Sequence, residues 1–163
     1  MELVRPNKLD EDKYFEYLNE VILNNETKLL GDANLKDKET FDEMLTRTHR
    51  IRYKENLMGM MRPTSVFWIK ENNKIVGSMN LREELSEFTY YTIGNVGYYI
   101  RPSCRNKKYA TLALSLAKEY YKSIGVKKIL LVCTSNNIAS EKVIIHNGGE
   151  LELAPARRRG SWN

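Results

Sequence analysis

Cysteine, proline and tryptophan are scarce in this chain: two, four and two among 163 residues. Two cysteines, Cys104 and Cys133, exclude a disulfide-stapled scaffold, and their spacing matches no metal-ligand pattern. They read as free thiols, and no metal is expected. No run approaches the roughly 18 apolar residues that a membrane helix needs. The segment Met1-Glu2-Leu3-Val4-Arg5-Pro6 has no apolar signal core, so the reading is a cytoplasmic protein without membrane attachment. A large excess of one charge is missing too. The net charge is +5, but three of the cations are Arg157, Arg158 and Arg159 near the end; setting them aside leaves 23 cations against 21 acids. That excess suits solubility and argues against nucleic-acid binding.

What is present is enough apolar residue, 42% of the chain, for one domain with a real core. A short strand at Leu3-Val4-Arg5 is stopped by Pro6. Asp10 is placed to cap a helix whose apolar positions are Phe15, Leu18, Val21 and Ile22. A polar connection, 31–38, follows. Thr40-Phe41-Asp42-Glu43 has capping-box spacing and opens a helix with Phe41, Met44, Leu45, Thr48 and Ile51 on one side. Its other side is basic, and Gly59 and Pro63 are read as its stop. Two β-rich runs, 65–70 and 74–81, joined by Glu71-Asn72-Asn73, predict a hairpin. A polar loop, 82–92, leads to a strand at 95–100.

A long helix is predicted over 110–124, with Leu112, Leu116, Tyr120 and Ile124 as its stripe, Ala113 and Ala117 beside it, and Gly125 as its stop. A nearly continuous apolar run, 128–134, predicts a buried strand. Ser135 or Asn136 is placed to cap a last helix that Gly148-Gly149 ends. A short strand is expected at 150–153. The order is β-α-α-β-β-β-α-β-α-β, a mixed-sheet α/β fold in one domain over 1–153. Residues 154–163 read as an irregular basic tail.

The segment richest in chemistry is Gly97-Tyr98-Tyr99-Ile100-Arg101-Pro102-Ser103-Cys104-Arg105-Asn106-Lys107-Lys108-Tyr109-Ala110. A strand pattern enters a basic loop, and the loop opens the long helix. A helix start leaves N–H groups unpaired and carries partial positive charge. With Arg105, Lys107 and Lys108 beside it, this start suits a polyanion such as a pyrophosphate. Downstream, Asn136-Asn137-Ile138-Ala139-Ser140 and Asn147-Gly148-Gly149 bracket the last helix. They also suit plain capping.

This order, with these motifs, resembles the GNAT family of N-acetyltransferases, most sharply over 95–150. Within it the chain is similar to a subgroup of uncharacterised acetyltransferases, through Arg82-Glu83-Glu84-Leu85, Gly97 to Ser103, and Asn137 to Gly149. The resemblance implies acetyl-CoA as cosubstrate. Tyr98, Tyr99 and Ile100 would offer backbone groups to its pantetheine, and the amides of Arg105, Asn106, Lys107, Lys108, Tyr109, Ala110 and Thr111 would hold its pyrophosphate. Asn137, with Ser140 one turn on, would contact the pantetheine. The family loop reads Arg or Gln, two residues, Gly, one residue, Gly or Ala. Arg105 and Ala110 match it, while Lys108 stands in the glycine's place. A lysine fits there if its φ is helical and its side chain points away. The subgroup continues into a further hairpin strand, for which the tail shows no alternation. A missing final strand would leave an edge for a second copy to pair with, a homodimer.

The implied reaction moves an acetyl group to the primary amine of a small molecule or peptide, by direct attack in a ternary complex. The alternative is a CoA-binding module with this fold and no turnover. Glu84, facing the cleft by resemblance, is the candidate base, with Glu83 second. The family's tyrosine acid falls at Ile144, which has no proton to give. Tyr98, Tyr99, Tyr109 or water then stands in, and Tyr99 joins Glu84 as a catalytic candidate. The acceptor site would be lined by the two N-terminal helices and the 82–92 loop. His49, His146 and Cys133 read as surface, helix-end and packed residues.

Overall fold

The computed structural model describes residues 1–57, 62–154 and 157–162. The helix stop expected at Gly59 lies outside them, as do Pro155, Ala156 and Asn163 of the tail. The described strands are β1 (Glu2–Val4), β2 (Thr64–Glu71), β3 (Lys74–Arg82), β4 (Val96–Ile100), β5 (Ile129–Thr134), β6 (Glu150–Ala154) and β7 (Arg157–Trp162). The helices are α1 (Glu11–Leu23), α2 (Phe41–Arg50), α3 (Glu87–Thr92), α4 (Tyr109–Ser123) and α5 (Ile138–His146). One antiparallel sheet has the order β1-β2-β3-β4, and a second has the order β5-β7-β6.

Local chemistry explains most boundaries. Asn72 and Asn73 both have left-handed φ, 46° and 61°, as the tight β2–β3 hairpin requires. Thr40 and Glu43 form the expected capping box of α2. Asp10 makes no capping bond at α1. Its buried carboxylate instead accepts from Lys13 and Lys70, at 2.7 and 2.8 Å, and from Asn7. Burial pushes its pKa up, but these three partners outweigh burial and hold it at about 2.

Two helix faces are rotated from the expected stripes. α1 buries Tyr14, Tyr17, Leu18 and Val21, and leaves Phe15 and Ile22 at the surface. The Tyr14 and Tyr17 hydroxyls donate to Ala33 C=O and Ser78 Oγ, each at 3.1 Å, so both rings bury with their polar ends satisfied. α4 buries Ala113, Leu114, Ala117 and Tyr121 and exposes Leu112 and Ile124. The 82–92 loop also differs from expectation, because Ser86 caps the short helix α3 through a reciprocal pair with Thr89.

The largest difference is the tail. Residues 157–162 form β7, inserted between β5 and β6 and antiparallel to both. The final strand is present, and the argument for a second copy at an open edge loses its basis. An inner strand is held by ladders on both sides, so backbone hydrogen bonding replaces the apolar alternation that the sequence lacks.

The first sheet carries a core on each face. Tyr14, Tyr17, Met44, Trp68 and Tyr99 pack on the α1–α2 side. Phe67, Ile69, Leu114, Ala117, Leu131 and Ile144 pack on the α4–α5 side. Trp68 and Ile69 belong to opposite cores, as a period of two requires. No helix among the described residues is long and apolar enough to cross a membrane.

Candidate active site

β4 and β5 start together and then part. Gly94 bridges Leu131, and Asn95 N–H donates to Leu130 C=O at 2.7 Å. A Cβ on Gly94 would lie 2.4 Å from Leu130 O, and its φ is +66°, so only glycine fits. The Asn95 side chain locks the junction. Its Oδ1 accepts from Leu130 N–H, and its Nδ2 donates to Arg82 C=O, both at 2.8 Å. Tyr121 Oη adds a donor shared between Arg82 C=O and Asn95 C=O. Beyond this apex the two strands belong to different sheets.

Strand register decides which β4 groups face the opening. Arg101 N–H donates to Val76 C=O and Arg82 N–H to Asn95 C=O. Odd-numbered residues therefore spend their backbone groups on β3, and Val96, Tyr98 and Ile100 turn theirs toward the gap. The Ile100 carbonyl accepts from Arg105 Nε at 3.1 Å, in keeping with that parity. Tyr99 is the exception among the three expected backbone contributors, since its amide and carbonyl belong to the β3 ladder.

At the wide end the chain turns into α4. Asn106 and Lys108 both adopt left-handed φ, 61° and 63°. Lys108 thus takes a left-handed backbone conformation that glycine adopts freely, not the helical φ that a lysine was expected to need there. The first α4 bond runs from Leu112 N–H to Lys108 C=O, so the amides of Tyr109, Ala110 and Thr111 have no carbonyl one turn back. Asn106, Lys107 and Lys108 are exposed, and Thr111 C=O is tied to Asn147 Nδ2 at 3.1 Å.

α5 stands across the gap. Tyr98 Oη donates to Ser140 Oγ at 3.2 Å and joins β4 to this helix. Burial raises the Tyr98 pKa above the ordinary phenol value, against the smaller lowering effect of Ser140. Asn137, not Ser135 or Asn136, is the cap of α5, its Oδ1 accepting from Ser140 N–H at 3.0 Å. Ile144 is 1% exposed and belongs to the core.

The other face of β4 holds a cluster that sequence alone does not predict. Tyr99 Oη donates to Glu26 at 2.6 Å, and Arg105 makes a two-nitrogen contact with the same carboxylate. Arg105 holds Glu26 below the ordinary carboxylate range, with help from Tyr99. Burial, then Glu26, pushes the Tyr99 hydroxyl well above its ordinary value. Arg105 therefore reaches across to the end of α1, and no local pattern links residues so distant. Glu84 is not part of this grouping. It is exposed and pairs with Lys54 at 3.4 Å, on the segment before β2, while Glu83 accepts from Tyr120 Oη. Among the described residues no group of His, Cys, Asp and Glu is arranged to hold a metal.

The acetyltransferase (GNAT) domain model matches residues 2–150. The chain belongs to the GNAT acetyltransferase family. Members of this family use acetyl-CoA as cosubstrate. The chain is similar to the microcin C7 self-immunity acetyltransferase MccE, solved with acetyl-CoA and AMP, at 15% identity and a TM-score of 0.66, over 98% of this chain and 89% of that one. It is similar to a Vibrio cholerae spermidine N-acetyltransferase SpeG chimera with hSSAT, at 16% identity and a TM-score of 0.63, over 99% and 95%. It is also similar to the Salmonella typhimurium acetyltransferase that modifies the N-terminal serine of ribosomal protein L7/L12, at 13% identity and a TM-score of 0.62, over 98% and 91%. These likenesses concern the GNAT fold. No curated protein sequence matches the chain.

Proposed function

We propose that this GNAT protein is an acetyl-CoA-dependent N-acetyltransferase that acts on a primary amine by direct attack in a ternary complex. The observation that carries the reading is the parting of β4 from β5, with the Tyr98 backbone groups turned into the gap. The residues present fit the cosubstrate. Tyr98 and Ile100 offer backbone groups to an amide-bearing arm. The amides from Asn106 to Thr111, with Lys107 and Lys108, offer a cationic end to a pyrophosphate. Asn137 and Ser140 flank the arm from α5.

Bound acetyl-CoA supplies an acyl carbon activated as a thioester. The amine nitrogen bonds to that carbon as the C–S bond breaks, and the proton lost by the amine balances the one gained by the leaving thiolate. The Tyr98 N–H is offered to the carbonyl oxygen as it becomes negative. The Tyr98 hydroxyl, kept protonated by burial and directed toward α5, is the proton donor where Ile144 has none to give. Glu26, held ionised on the Tyr99 face, attracts the ammonium of the acceptor, and water takes the proton that the ammonium loses and returns one to the Tyr98 oxygen. Arg105 fixes Glu26, and Tyr99 orients it.

Ligand binding to the native state raises its stability by mass action. Millimolar acetyl-CoA should raise the melting temperature, and thiol should be released when amines are added. Absence of any shift would overturn the reading. A shift without thiol release from any amine would leave a CoA-binding module in its place.

A further inference from the structure

Among the described residues six buried side-chain polar atoms lack a hydrogen-bond partner, and two of them, Asn80 Oδ1 and Arg82 Nη1, belong to neighbouring positions of one strand face. Asn80 and Arg82 of β3 are 6% and 9% exposed. Asn80 Nδ2 donates to Leu30 C=O at 3.2 Å, which leaves Oδ1 buried and unbonded. Arg82 Nη1 is buried without an acceptor as well. Alternation puts both on the α1 side of the sheet with Ser78, which meets Tyr17 there. Gly97 is the cross-strand partner of Asn80. Among the described residues, a Cβ on Gly97 would meet only Arg82 Nη1, at 3.9 Å. A notch therefore opens over β4 where a side chain would stand. Tyr99, with Glu26 and Arg105, bounds it on the same face of β4.

Folded proteins keep few buried polar atoms unbonded, because each forfeits its bonds to water and gains none in return. A guanidinium nitrogen with a free donor is matched best by a carboxylate. Asp32 acts on Arg82 electrostatically but leans toward Arg47 Nη1, at 3.9 Å. The amide oxygen of Asn80 wants an N–H. We propose that Arg82 and Asn80 recognise the acceptor, and that the acceptor is an amine that also carries a carboxylate. Arg82 takes the carboxylate, Asn80 Oδ1 takes an N–H, and Glu26 attracts the ammonium from the opposite side of the notch. This proposal rests on the N-acetyltransferase reading above.

The test is calorimetric titration of L-amino acids and their carboxamides into protein saturated with coenzyme A, with acetyl transfer to the same acceptors measured in parallel. Acids should bind at least tenfold more tightly than carboxamides. Arg82→Met should abolish that preference and raise KM for the acids tenfold or more, with the Kd for coenzyme A unchanged. Gly97→Val fills the notch while Arg82 remains, and Gly97 has no left-handed φ to oppose it; the same loss is expected, which covers a failure of Arg82→Met to fold. Equal binding of acids and carboxamides, or equal weakening of both in either variant, overturns the assignment. So does the absence of binding by any amino acid. A carboxylate preference in calorimetry without acetyl transfer supports the pair and overturns the enzymatic reading.

Discussion

Asp10, bonded to Lys70 near one end of the inner strands β2 and β3, and Arg82, at their other end, are both buried charges. Asp10 has Lys13, Lys70 and Asn7 around it, and its carboxylate is fully engaged. Arg82 has an Nη1 with no acceptor, beside an Asn80 oxygen with no donor. The Asp10 carboxylate is satisfied by the chain itself and serves the fold. The Arg82–Asn80 pair is left open, and the proposed acceptor is what completes it. The junction at Asn95 is of the first kind, although it lies a few residues from the second.

The largest expected effect comes from breaking the closed set at the apex. Asn95→Ala strands Leu130 N–H and removes the bond to Arg82 C=O, two losses in a buried place. Stability should fall by about 3 kcal/mol, or roughly 10 °C in melting temperature for a chain of this size. Scanning calorimetry checks it; a fall under about 3 °C would mean that β4 and β5 are held together elsewhere.

Asp10→Asn comes next, at about 2 kcal/mol. The folded pKa of about 2 lies below the ordinary aspartate value, so this carboxylate contributes stability that is fully present above about pH 4 and is lost as pH falls toward 2. Urea melts of both proteins should therefore differ at pH 7 and converge in acid. Parallel curves down to pH 2.5 would deny the closed set its role.

Arg82→Met should do the reverse of Asp10→Asn. Removing a buried nitrogen that bonds to nothing should leave stability within about 1 kcal/mol of the parent protein. A loss of 3 kcal/mol or more would place Arg82 in the closed class and erase the contrast. The smallest change belongs to Lys108→Gly. Relief of a left-handed residue, offset by backbone entropy, should add roughly 0.5 kcal/mol. Coenzyme A should bind at least as tightly, because the loop already has a glycine's backbone shape.

The sequence displays whatever local chemistry settles. The asparagine hairpin, the Thr40–Glu43 box, the basic loop that opens α4 and the Asn137 helix all lie within a few residues of their own causes. The α1 face was displaced because Tyr14 and Tyr17 were left out of its apolar stripe, whereas the fold finds a partner for each hydroxyl. β7 was illegible because its sequence carries charge where an apolar pattern is sought. The site shows the same division. Tyr98, Ile100 and the loop amides follow from the strand-to-helix motif. Glu26 meets Tyr99 and Arg105 across more than 70 residues, and Asn80 meets Gly97 only through register. Glu84 looked eligible by position and was drawn instead to Lys54.

The place of β7 in the second sheet also constrains how the molecule is made. β5 forms one wall of the gap, yet its ladder partner β7 follows every other described element in chain order, and β6 reaches β5 only through that partner. On the ribosome the first sheet can assemble while the second waits. Contacts between distant segments are slow to form, so the working cleft should be a late event in folding. A chain cut before residue 157 would leave one wall of its cleft without the ladder that holds it, and would lose more than an appendage.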